Sequence, residues 1–242
     1  REPWDSLPRV AEALPLLDDA EIWLAVDLNP PAEWLDGRPE EASTFLLEGI
    51  AYPSIGSQEW RDAASDALLD ASSEIAEARP GARIAGVILQ GLEDGRWYRT
   101  VGYDHSVANQ IAFDTWLEEK YVDPAALSAA WKADYGGFQG IGTPDPPVEQ
   151  HGIFFSGPQA PVYVDYMEYL NESTVSIISY FAARVRETFG AKVQVFASYG
   201  SIFDEPWPEH AQWGIGALLS GTIDGLVFGV NRQDRGVGAA GG

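Results

Sequence analysis

The chain has no cysteine in its 242 residues. That excludes a disulfide framework, a thiolate nucleophile and a thiolate metal site, and leaves the compartment undecided between extracellular and cytoplasmic bacterial locations. Basic residues are scarce: 15 Lys and Arg stand against 37 Asp and Glu, for a formal charge of −22. A surface this acidic repels nucleic acid and anionic lipid, so neither is expected as a partner. No apolar run approaches the ~18 residues of a membrane span, so no membrane partner is expected either. The three histidines, His105, His151 and His210, are too scattered for metal-ligand spacing, and no metal is expected. Ser57 and Ser198 lack a G-x-S-x-G setting. The glycines at 136–140 and 236–242 lack the strand–loop–helix context of a phosphate cradle, so no cofactor is expected. The chain opens at Arg1 without a signal-like segment and stops at Gly242 just after an apparent strand, which reads as cut at both ends.

What the chain has is apolar and aromatic. Hydrophobic residues make up 45%, with nine Trp, ten Tyr and ten Phe, enough for one large core. Strand and helix patterns alternate without a linker rich enough to divide residues 1–242 into two domains. Four strands are predicted, at 21–28, 84–89, 192–198 and 223–230. Helices are predicted at 6–19, 57–78, 107–121, 124–133, 164–189 and 208–219, with Ser57 and Asp123-Pro124 as start signals and Gly190 as a stop. Helical crossovers imply parallel strands joined right-handedly. The fold class is therefore α/β, a parallel-strand (β/α)8 TIM-type barrel of which this chain holds the middle. Open edges predict that this segment alone is unstable unless it pairs with itself or with further chain.

The segment from Ile84 to Tyr98 is the richest in chemistry. A buried strand opens at its carboxyl end into a turn carrying Gln90, Glu93, Arg96, Trp97 and Tyr98. Parallel α/β sheets and barrels keep their active sites there. Trp34, Trp97, Tyr98 and Tyr199 each follow a strand, where a ring could stack on a pyranose or pack in the core. Asp27 and Asn29 could bond sugar hydroxyls or close the strand ends, and Arg235 could contact a carboxylate or sugar or anchor its loop.

Several segments together resemble β-galactosidase-like glycoside hydrolases of clan A, near glycoside hydrolase family 42. Asn29-Pro30-Pro31, Trp34 and Pro39-Glu40 are similar to the "PP.WW…HPE" loop after that family's third barrel strand. Ser54 to Arg61 resembles its "PS.aSe.WR" helix start. Asp104-His105-Ser106 through Trp131 resembles "DYSp…aFr.WL…Y…aLn.aW", and Asp165-Tyr166 its helical "DY". Ile223-Asp224 to Gly236 looks like its sixth strand, "iDF…SPysY..RgpGG".

The resemblance implies that this chain covers strands three to six of a retaining hydrolase acting on β-linked sugars. It implies two glutamates, one acid/base after strand four and one nucleophile after strand seven, ~5–5.5 Å apart. The family's "TGEW" falls on Asp94-Gly95-Arg96-Trp97, so Arg96 stands where the acid/base glutamate is expected. A guanidinium does not shuttle that proton near neutral pH. Glu93 is then the candidate acid, displaced by three residues, and the nucleophile would lie beyond Gly242. The alternative is a catalytically inactive carbohydrate-binding or scaffold module derived from such a barrel. Sugar, linkage and oligomeric state stay open.

Overall fold

Alternation along the strands sets the architecture. In β1 (Ile22–Asp27), Ile22, Leu24 and Val26 are buried, whereas Trp23 and Ala25 are exposed. β2 (Ile84–Gln90) buries Val87 and Leu89, and β3 (Gln194–Ser198) buries Val195 and Ala197. These residues share one face, because paired residues in a parallel ladder point the same way. β4 (Gly225–Val227) completes a four-stranded, all-parallel sheet in the order β1-β2-β3-β4. The computed structural model describes residues 21–45, 49–78, 83–97, 102–146, 157–200 and 211–228.

Helices cover that face. A single turn, α1 (Ala32–Asp36), follows β1. α2 (Gln58–Ala78) crosses to β2 and turns Trp60, Ala64, Leu68, Ala71 and Ile75 inward at helical spacing. Its first turn is held by the Ser57 hydroxyl, which accepts from Trp60 N at 2.9 Å. The Trp60 indole N–H then donates to Leu28 O at 2.7 Å, locking the helix start to the end of β1. α3 (Val107–Tyr121) and α4 (Pro124–Trp131) start at Ser106 and Asp123 as the sequence predicts. α5 (Ala160–Phe189) begins four residues before the predicted start, because Pro161 sits in the first turn, where its missing N–H costs nothing. Gly190 ends it at φ +109°. α6 (Ile215–Leu219) is much shorter than the predicted helix at 208–219, since 211–214 are not helical. The predicted helix at 6–19 lies outside the described residues.

One buried carboxylate joins three helices. Asp165 on α5 is 5% exposed and accepts from Lys120 Nζ at 2.9 Å, Tyr121 OH at 2.6 Å and Trp131 Nε1 at 2.7 Å. Such a carboxylate is tolerable because its oxygens are paired. Among the described residues no helix is long and apolar enough to cross a membrane.

The opposite face of the sheet is only partly covered. Trp23 and Phe196 meet edge to face across β2, centroids 5.4 Å apart, above Gly86. A side chain at 86 would overlap the Trp23 ring, which is why glycine sits mid-strand there.

The charge of −22 has a measurable consequence. Like charges on one surface repel and favour the expanded chain, and salt screens them. The melting temperature is expected to rise by several degrees between ~0.01 M and ~0.1 M NaCl, as the Debye length falls from ~30 to ~10 Å. A thermal scan flat across that range would show that the acidic surface carries no net strain.

Candidate functional site

The sheet register assembles one polar row. Trp23, Ala25 and Asp27 alternate onto the uncovered face, and Asp27 pairs with Gln90. One step along the same register brings Ser198 beside Gln90, and Ser198 pairs with Val227. Asp27, Gln90 and Ser198 thus lie in a row at the carboxyl ends of the strands, on the uncovered face. In an α/β barrel that is the mouth.

The turn after β2 is unusually wound. Leu92, Asp94 and Trp97 adopt left-handed backbone at φ +57°, +54° and +53°, a conformation non-glycine residues rarely take. Asn29 holds it there. Its Nδ2 donates to Leu92 O at 2.9 Å, and its Oδ1 accepts from Leu92 N at 2.8 Å. Both ends of the amide are therefore spent on the backbone of the turn, so Asn29 shapes the mouth.

The aromatic side chains lie elsewhere than the sequence suggests. Trp97 folds back from the turn and is fully buried between Trp60 and Phe181, at centroid distances of 6.3 and 6.2 Å. Its indole N–H donates to Leu89 O at 3.1 Å, and Gly91 leaves room for the ring. Tyr199 is also fully buried. Its hydroxyl donates to Ala211 O at 3.3 Å and accepts from Gly214 N at 3.1 Å, and burial pushes its phenol up to about 12. Trp34 is 6% exposed, with the Arg38 guanidinium 4.6 Å above its ring. Their positions just after strands left sugar stacking and core packing both open, and in this structure Trp34, Trp97 and Tyr199 are packed in the core. An indole gains more from apolar packing than from a half-wet strand end.

Glu93 is buried at 3% exposure. Arg96 is half-buried, and its carbonyl accepts from Gly200 N at 2.8 Å, tying the turn after β2 to the exit of β3. Tyr98 and Arg235 lie outside the described residues.

A cleft of about 550 Å³ opens between the ends of β1 and β2, lined by Asp27, Asn29, Asp36, Tyr52 and Asp94 among others. Two of these groups titrate abnormally. Burial raises the Asp27 carboxyl from its ordinary value, against the opposing effect of the Asn29 N–H that bonds its Oδ1 at 3.0 Å. The Tyr52 phenol is raised by burial and by the carboxylates of Glu93, Asp94 and Asp27, against a backbone hydrogen bond from Asp94. The cleft thus pairs a carboxyl that holds its proton more tightly than usual with a phenol and a second carboxylate, chemistry suited to proton donation. Strand alternation alone could have placed Asp27 in the mouth. Tyr52 sits in a loop and gives no sequence signal. Among the described residues no group of three or more His, Asp or Glu side chains is placed to hold a metal ion.

No protein-family model and no curated protein matches the chain. Solved structures do. The β-galactosidase of the Antarctic haloarchaeon Halorubrum lacusprofundi aligns with a TM-score of 0.69 at 19% identity, over 95% of this chain and 34% of that one. The β-galactosidase of the psychrophilic Marinomonas ef1 gives 0.68 at 18%, over 94% and 33%. The catalytic domain of a Paenibacillus polymyxa β-amylase gives 0.66 at 14%, over 94% and 64%. This chain therefore spans about a third of the length of those β-galactosidases. At such identities the likeness is one of fold: the parallel sheet with its helices is part of an α/β barrel.

Proposed function

We propose that this chain is part of a glycoside hydrolase-like barrel that acts on β-linked sugars in the cleft between β1 and β2. The observation that carries the reading is the convergence of Asp27, Asp94 and Tyr52 in a cleft at the carboxyl ends of parallel strands. The β-galactosidases among the similar structures support the same class of substrate. A place near glycoside hydrolase family 42, with retention at the anomeric carbon, belongs to this proposal and rests on the motif resemblance.

Within it, Asp27 is the better proton donor. It lines the cleft, whereas Glu93 does not, and burial favours its protonated form. As the glycosidic C–O bond breaks, Asp27 gives its proton to the leaving oxygen, and a carboxylate supplied by a later strand attacks the anomeric carbon.

A second reading, saturable sugar binding without turnover, is favoured by Arg96 at the position where the resemblance expects an acid/base glutamate. Incubating the full-length protein with 4-nitrophenyl β-galactoside, β-glucoside and β-xyloside separates the two. Release of nitrophenol is expected. Binding heat for the matching methyl glycosides with no nitrophenol release would install the second reading, and neither signal would remove both.

A further inference from the structure

Tyr52 is half-buried and lines the cleft, although no strand of the sheet carries it. A short antiparallel pairing does. Ala42 bridges Pro53, Ser43 N donates to Tyr52 O at 2.9 Å, and Ser54 N donates to Glu41 O at 2.7 Å. This pairing is fastened to the start of α3 through Asp104, a fully buried carboxylate. Asp104 Oδ1 accepts from Thr44 N and from Ser106 N, both at 3.0 Å, and the Thr44 hydroxyl accepts from His105 N at 2.9 Å. The Ser106 hydroxyl lies 3.1 Å from Asp104 Oδ2 and 2.9 Å from the Ser54 hydroxyl. Both sides of the pairing are thus tied to residues 104–106, one at Thr44 and the other at Ser54. Gly56 completes the seam, because a Cβ there would fall 2.5 Å from Ala108 O. A buried carboxylate is costly unless its oxygens are met, and the loop that carries Tyr52 meets part of that need.

The phenol faces the cleft as a donor. Its oxygen accepts from the Asp94 N–H, so a ligand meets the O–H. The carboxylates of Glu93, Asp94 and Asp27 keep that proton in place, and they repel an anionic acceptor. Among the described residues lining the cleft, Asp27, Asp36 and Asp94 are acidic and none is basic. An uncharged oxygen, such as a sugar hydroxyl, is the acceptor that suits.

We infer that Tyr52 is a binding residue that donates to one hydroxyl of a neutral sugar, and that Asp104 is the positioning residue that holds it in the cleft. The inference rests on the sugar reading given above.

Binding of methyl β-galactoside, β-glucoside and β-xyloside to the full-length protein, followed by the monodeoxy derivatives of whichever binds, tests both assignments. Tyr52→Phe removes the O–H alone, and its Kd is expected to rise ~3–10-fold, the worth of one neutral hydrogen bond. One monodeoxy derivative, the one lacking the bonded hydroxyl, should bind parent and variant equally. Asp104→Asn is expected to weaken binding in the parent and to add nothing in the Tyr52→Phe background, since its effect runs through the phenol. Thr44→Val, at an exposed position, removes the hydroxyl that accepts from His105 N, and it repeats the comparison should the asparagine variant fail to fold. No loss in Tyr52→Phe, or the same loss for every deoxy derivative, overturns the contact. Losses that add in the double variant overturn the role of Asp104. Either result leaves the sugar reading standing, whereas a parent that binds none of the three glycosides and hydrolyses none overturns both.

Discussion

Replacing Asp27 with asparagine is expected to slow hydrolysis of β-glycosides that have poor leaving groups by ~10²–10⁴-fold, the usual contribution of a positioned general acid. Asparagine keeps an oxygen where Asn29 N donates at 3.0 Å, so the end of β1 and the clamp from Asn29 to Leu92 should survive the change. The informative comparison is between leaving groups. A dinitrophenolate departs without a proton, so the variant should cleave that glycoside at close to the parental rate. An alkyl glycoside needs the proton and should be hit hardest. An equal loss across both classes would mean that Asp27 supports the cleft without donating. No loss at all would return the acid role to Glu93, for which Glu93→Gln is the matching control.

The same substitution has a stability signature with a definite sign. Burial raises the folded-state pKa of Asp27 above the ordinary aspartate value of 3.8. The folded chain thus holds that proton more tightly than the unfolded chain does. Stability from this group is fully present below 3.8 and is lost as pH rises through the folded value. As pH rises toward neutral, burial makes deprotonation of Asp27 cost the folded parent free energy that the asparagine variant never spends. The variant is therefore expected to melt above the parent at pH 7, with the gap shrinking toward pH 4. A gap that widens on acidification would mean that Asp27 is stabilised as a carboxylate, and it would no longer suit proton donation.

Much of the scaffold was legible because it depends on period and on caps. The strands at 84–89 and 192–198 and the helices at 57–78 and 107–121 follow from apolar spacing and from Ser57, Ser106 and Gly190, whose local chemistry leaves few alternatives. The parallel order follows from helical crossovers, and the similar solved structures share the barrel fold. The interior of the site was less legible. Sequence offers Trp97 to the mouth as readily as to the core, because it lies eight residues past the predicted strand end at residue 89. Yet four left-handed residues, Leu92, Asp94, Gly95 and Trp97, reverse the chain and return the indole to the core. Nothing local announces three non-glycine residues in that conformation; they persist because Asn29, 63 residues earlier, grips Leu92 from both sides. Tyr52 was illegible for the same reason, since it matters only through residues far away in the chain.

That reversal makes the second large effect a stability effect. Trp97→Ala is expected to cost ~3–5 kcal/mol, the range for deleting a large buried aromatic. This is a large fraction of the ~5–15 kcal/mol that holds a typical domain together. The ring has no exposed surface, packs between Trp60 and Phe181, and satisfies the last carbonyl but one of β2 through Leu89. Trp97→Phe keeps an aromatic ring but loses the indole N–H, and should cost less. Urea denaturation reads both changes directly, as lowered midpoints in the order parent, phenylalanine, alanine. A sugar-stacking role makes the opposite prediction. The midpoint would barely move, the Kd for a β-glycoside would climb, and phenylalanine would restore affinity without any gain in stability. The wound turn exists to bury this ring, so the loss of Trp97 should loosen residues 91–97 and take the Asp94 side of the cleft with it. Activity lost in the alanine variant should then return in proportion to folded fraction when the protein is stabilised by salt or cold, which a missing sugar platform could not do.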